Sequence, residues 1–171
     1  IETGNEFYRK KYLNKMATNE QILNAYKIIH KFGIRTVGFI LLGFPFETRD
    51  LIFETIKLIR ETRVCVPNVG FVYPFKGSKL REIVIKNKLF DESIETNNSP
   101  QYSRNCLAIR NPNISKDEYK GIYRTFLLYC KLPERYYPDI KIAEKFDTKG
   151  NKMYKKLRDL YVGKKLYNEY L

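Results

Sequence analysis

"VGFILLGFPFETRD", Val37 to Asp50, decides how the chain is laid out. Residues Val37 to Gly43 are apolar or glycine and carry no charge, whereas the next seven bring a proline, two acids and an arginine. A run this short cannot cross a bilayer. It reads as a strand buried on both faces, of the kind found in parallel sheets covered by helices. Thr48 stands where an N-cap belongs, and Leu51, Ile52, Thr55, Ile56 and Ile59 fall on one side of a helix ending near Glu61.

Working outward, Thr18 and Gln21 form a capping-box pattern ahead of Ile22, Ala25, Tyr26, Ile29 and Phe32, with Gly33 as the C-cap. Before that helix, Ile1-Glu2-Thr3-Gly4 reads as the tail of a strand, so the sequence is expected to be a piece of a longer chain. After the opening stretch, "NVGFVYPF" (Asn68 to Phe75) predicts a second strand that ends at Pro74 and a Lys76-Gly77 turn. Ser78 then caps a helix carrying Leu80, Ile83, Val84 and Leu89. Alternating strands and helices predict a parallel α/β sheet with right-handed crossovers, either a barrel or an open sheet. In both, ligands sit beyond the carboxyl ends of the strands, which here are Glu2 to Glu6, Gly43 to Thr48 and Tyr73 to Ser78.

The texture changes at Asp91. Residues 91–113 read as a polar linker with a short strand at Cys106 to Arg110. Ser115 and Glu118 make another capping box, opening a helix with Tyr119, Ile122, Tyr123, Phe126 and Tyr129 on one face, which Pro133 stops. Pro138 to Leu171 is mostly helical and basic. The expected organisation is therefore residues 1–90, the linker 91–113, and a basic helical extension over 114–171.

Composition sets bounds on partners. With 171 residues, 43% hydrophobic and 15% aromatic, the chain can form an ordinary domain core. It has no 18-residue apolar run and no signal-peptide pattern, so a soluble, cytoplasmic protein without a membrane span is expected. The net charge of +13 raises nucleic acid or an anionic surface as a partner. The basic residues are interspersed with acids and no binding signature accompanies them, so nucleic acid is not favoured. A basic, tyrosine-rich binding module for RNA or a partner protein is the alternative reading; Tyr136 and Tyr137 beside Arg135 could stack bases, although core packing is the commoner use of tyrosine. Cys65, Cys106 and Cys130 lie 41 and 24 residues apart, which fits neither zinc nor iron-sulfur spacing, and they are expected to be reduced and mostly buried. His30, the single histidine, sits late in a helix and suits exposure or a dipole role better than catalysis. Phosphate-loop patterns are absent.

The strand ends offer chemistry. Glu2, Gly4 and Asn5 supply a carboxylate, an amide and backbone donors suited to hydroxyls and an ammonium group, or else form a plain strand-to-helix turn capped by Asn5. Gly43 and Pro45 allow a sharp turn close to a flat ligand. Tyr73-Pro74-Phe75 offers an aromatic wall, although packing is the default reading of such a pair.

Taken in order, "IETGNE", then "YLNKMATNEQILNAYKIIHKFGIRTVGFILLGFPFETRDLIFETIKL", then "VGFVYPFKGSKL" resemble the C-terminal half of a radical S-adenosylmethionine barrel, in the branch that often carries an N-terminal cobalamin-binding domain. The resemblance covers Ile1 to Phe90, and "ERYYPDIKIAEK" is similar to the C-terminal extension of some members. It implies a TIM-like (β/α)6 barrel to which this chain gives strands four to six, with the N-terminal half of the barrel as its partner in the same polypeptide. It also implies that Glu2 contacts the ribose or amino-acid part of S-adenosylmethionine, with Thr3, Gly4 and Asn5 as its turn. Lys15 would meet the methionine carboxylate, as a point contact where many relatives have an arginine fork. Gly43, Phe44 and Pro45 would lie beside the adenine, and Tyr73 and Pro74 on the next rim segment. The four-iron four-sulfur cluster and its cysteines, together with any cobalamin, would belong upstream of Ile1. No catalytic residue, metal ligand or small-molecule substrate is implied for this segment, which alone is expected to be inactive and marginally stable.

Overall fold

The computed structural model describes residues 1–90 and 107–163. Within them lie seven α-helices and a two-stranded parallel sheet: α1 (Glu6–Leu13), α2 (Asn19–Lys31), β1 (Val37–Leu42), α3 (Arg49–Thr62), β2 (Val66–Phe71), α4 (Lys79–Lys86), α5 (Lys116–Lys131), α6 (Tyr137–Ala143) and α7 (Thr148–Gly163). The fold is thus mixed α/β. The start signals work as chemistry predicts: Thr18, Thr48, Ser78 and Ser115 each accept a hydrogen bond from the backbone N–H three residues on. Thr18 and Gln21 complete the reciprocal box. Ser115 caps, but the Glu118 carboxylate turns away to Arg49, since pairing a guanidinium across helices outweighs one more backbone contact.

β1 and β2 pair in register from Val37 with Val66 to Leu42 with Phe71. β2 begins at Val66, earlier than the apolar run suggested, and tolerates Pro67 because its outer edge has no neighbour among the described residues. The predicted first strand is reduced to one parallel bridge between Glu2 and Ile40. The short strand near Ile109 is likewise a single antiparallel bridge to Phe90; Cys106 and residues 91–105 lie outside the described residues.

One expectation fails in an instructive way. β1 is not buried on both faces: Gly38, Ile40 and Leu42 are buried, while Val37 and Phe39 are 53% and 56% exposed. The helices cover a single face. On that face Ile40, Leu42 and Phe71 meet Ile52, Ile56 and Ile59 of α3 and Tyr119, Ile122 and Phe126 of α5, which continue into Ile140 of α6 and Leu157 of α7. A second cluster joins Tyr8 and Tyr12 of α1 to Phe44, Val72, and Leu80 and Val84 of α4.

The expected helical face of α2 is only half-buried, and Phe32 beyond its end is 75% exposed. Tyr137 is packed edge-on against Phe53 and Tyr129, where it cannot stack on bases, and the Arg135 guanidinium lies over Tyr136. His30 is half-buried against Tyr26 in the last turn of α2. Cys130 is buried and Cys65 partly so, both as free thiols. Among the described residues no helix is long and apolar enough to cross a membrane.

Candidate functional site

Side by side, the Glu2 bridge, β1 and β2 bring three strand ends into one row. Beside them, on the uncovered face of the sheet, is an open cleft of about 440 Å³. It is lined by Phe39 and Leu41 of β1, Asn68 of β2, Tyr12 and Leu13 of α1, and Tyr73 and Phe75. The Tyr73 and Phe75 rings meet edge to face at 5.1 Å. This is the aromatic wall expected from the sequence, but Pro74 is buried behind it and its carbonyl accepts from Arg81. An apolar floor with few polar groups is what a small organic ligand needs.

Glu2 occupies the left-handed region at φ 64°, uncommon for a residue with a side chain, and β1 holds it there. Its N–H donates to the Phe39 carbonyl at 2.7 Å and its carbonyl accepts from Leu41 at 2.7 Å. Its carboxylate forms an ion pair with the ammonium of Lys15, whose side chain is 55% exposed. Such a pair contributes little to stability, so an ionic ligand can exchange into it. An amino acid would set its carboxylate on Lys15 and its ammonium on Glu2.

The neighbours of Glu2 serve the scaffold. The Thr3 hydroxyl and the Gly4 N–H both reach the Thr55 hydroxyl on α3, at 3.3 and 2.9 Å. A Cβ on Gly4 would lie 2.6 Å from the backbone of Glu54, so glycine here permits close packing of the turn on α3. The Asn5 carbonyl oxygen caps α1 through the Tyr8 N–H, and its amide donates to Glu54. Arg9, unremarked in the sequence, is 1% exposed and donates to the carbonyls of Thr3 and Ala17 and to Asn19, tying the turn to the start of α2.

The Gly43-Phe44-Pro45 turn is closed. All three residues are buried, Phe44 beneath the rings of Tyr8 and Tyr12. Gly43 at φ 86° lies under Leu107, so its backbone is not open to a flat ligand in this arrangement. What closes it comes from far along the chain. The Asn111 amide donates to the carbonyls of Phe44 and Glu47 at 3.1 and 3.0 Å and to the Tyr119 hydroxyl at 2.7 Å; Asn113 donates to the Phe46 carbonyl at 2.9 Å. Glu47, 1% exposed, accepts on one carboxylate oxygen from the Gly43 N–H at 2.8 Å and from the Tyr119 hydroxyl at 2.9 Å. Burial raises its pKa to about 7, although hydrogen bonds from Gly43, Tyr119 and Phe44 pull the other way. Burial, with the Glu47 charge beside it, also drives the Tyr119 hydroxyl far above its usual range.

Of the ten residues singled out in the sequence, only Tyr73 lines the cleft, with Glu2 and Lys15 paired nearby. Glu47, Asn111 and Tyr119 were missed because their roles depend on partners 64 to 72 residues away, and Arg9 because its partners are mostly backbone carbonyls within ten residues, which carry no residue signature. The fixed spacing of Gly43 and Glu47 was the only local signal for one of them. For a metal or iron-sulfur cluster the residues do not fit: among the described residues no group of three or more His, Cys, Asp or Glu side chains is placed to hold an ion.

No protein-family model matches the chain. Over 78 residues the chain is 32% identical to a protein named as an uncharacterized methyltransferase of Pyrococcus horikoshii. The similarity takes in 46% of this chain and only 17% of the length of that relative.

Proposed function

We propose that this chain is the C-terminal part of a radical S-adenosylmethionine barrel, residues 1–90 supplying the last three strand positions and residues 114–163 belonging to an extension packed behind them. The observation that carries the reading is the half-covered sheet, with Val37 and Phe39 exposed on a face that a completed barrel would turn inward. The relative's methyltransferase name favours methyl transfer as the reaction class. S-adenosylmethionine would supply the methyl group or, when reduced by a cluster bound elsewhere in the polypeptide, a radical on its adenosyl carbon.

The chain's own residues bind and enclose. Lys15 holds the methionine carboxylate, Glu2 its ammonium or the ribose hydroxyls, and Tyr73 with Phe75 offers a face for the adenine or the substrate. Phe39 and Leu41 keep the floor dry, which strengthens the ionic contacts at the rim.

The test is S-adenosylmethionine binding and turnover by the full-length polypeptide under anaerobic conditions. Lys15→Ala should weaken binding about tenfold and Lys15→Arg should retain it. Binding with neither 5'-deoxyadenosine nor a methylated product would sink the radical reading; unaltered binding in Lys15→Ala would sink the assignment of the site.

A further inference from the structure

We infer that Glu47 is a positioning residue of the strand-end site, the centre of a latch through which the segment Asn111 to Tyr119 fixes the rim loop Gly43 to Thr48. The inference rests on the proposed site for its functional meaning, but the latch itself stands on geometry. The loop's turn is held both from within and from outside. Asn111 takes the Phe44 and Glu47 carbonyls and Asn113 takes the Phe46 carbonyl, while Tyr119 and the Gly43 N–H converge on one oxygen of Glu47. Phe46 sits at φ 59°, which is costly for a residue with a Cβ, so outside contacts help to hold this shape.

Burying a carboxylate without a cation is costly, so a Glu at this place signals work that a glutamine or leucine would not do. Among the described residues no basic side chain pairs with it; the titratable groups that face it are Tyr119 from α5 and Tyr8 from α1. The ionised carboxylate can accept both the Gly43 N–H and the Tyr119 O–H. Burial favours the protonated carboxyl, whose carbonyl oxygen still accepts both contacts, whereas the ionised carboxylate is a buried charge that opening would rehydrate, so losing the proton loosens the loop. Because Phe44 packs on Tyr8 and Tyr12, and Tyr12 lines the cleft, a loosened loop shifts one wall of the ligand site. The C-terminal segment is thereby part of the site without touching the ligand.

Hydrogen exchange in the full-length polypeptide tests this, read on fragments covering Leu41 to Thr48 and corrected for the intrinsic pH dependence of exchange. Tyr119→Phe, which removes one hydroxyl and keeps the packed ring, should speed exchange in this fragment about tenfold and leave α3 unchanged. Wild-type exchange in the fragment should quicken as pH rises through about 7, since opening rehydrates a carboxylate whose pKa is raised in the closed loop, and Glu47→Gln should abolish that dependence. A fragment unchanged in Tyr119→Phe, or one whose exchange shows no more pH dependence than in Glu47→Gln, would overturn the latch. Should Tyr119→Phe accelerate α3 equally, the hydroxyl serves the whole core and the latch is likewise rejected. For the site itself, S-adenosylmethionine binding should weaken severalfold in Tyr119→Phe. Failure of the wild type to bind it at all would count against the functional reading alone, with the exchange result still deciding the latch.

Discussion

Glu47 carries a buried carboxylate whose pKa burial has raised from 4.5 to about 7. The folded chain therefore takes up this proton more readily than the unfolded chain does. The contribution to stability is greatest below the unfolded value, declines as pH rises towards about 7, and levels off above it, by roughly 3 kcal/mol in all. Glu47→Gln should flatten that slope: melting temperatures of the two proteins between pH 5 and pH 8 should converge or cross, and a constant difference would contradict the assignment. Gly4 makes a second prediction at this scale. Gly4→Ala drives a methyl group into the α3 backbone and should cost roughly 2 to 3 kcal/mol in denaturant unfolding, whereas Gly33→Ala meets nothing but its own φ of 66° and should cost about 1 kcal/mol.

Helix α3 shows how one element joins the two parts of the chain. Thr48 caps it, Ile52, Ile56 and Ile59 cover the sheet, and Thr55 receives the Gly4 turn. At its first turn Arg49 donates to Glu144 and Glu118, the Tyr129 hydroxyl joins on Glu144, and Lys141 lies within 3.1 Å of the same carboxylate. Glu144 is 6% exposed, so removing Arg49 strands a buried charge that the half-exposed Lys141 covers only in part. Arg49→Met should destabilise the protein by about 2 to 3 kcal/mol, and the double variant Arg49→Met with Glu144→Gln should recover much of the loss; additive losses in that cycle would show that the pair is not coupled.

For the whole molecule, the consequence of the uncovered sheet face is association. Val37, Phe39 and Val66 present exposed apolar surface on a sheet whose β2 edge has no neighbour among the described residues, which favours sheet-to-sheet and edge-to-edge contacts. The 171-residue chain should self-associate in sedimentation experiments, and Phe39→Lys should suppress this with little change in unfolding free energy. In the proposed completed barrel the same substitution should destabilise strongly, since the interior would have to bury the charge. Equal tolerance in both settings would argue against a covered face.

Every described helix start that the sequence marked with a Ser or Thr cap formed there, because a cap is a contact across three residues and needs nothing distant. The strand from Val37 to Leu42, its partner, and the order of three strand ends were legible for the same reason, as hydrophobic period and turn chemistry are local. Which face of "VGFILL" is buried was not legible, since an apolar run records what a strand can bury and not what lies against it. Nor was the closing of "GFPFET": the turn itself is local, but Asn111, Asn113 and Tyr119 reach it from more than 60 residues away, and only the folded chain brings an amide and a hydroxyl to a carboxylate across that separation.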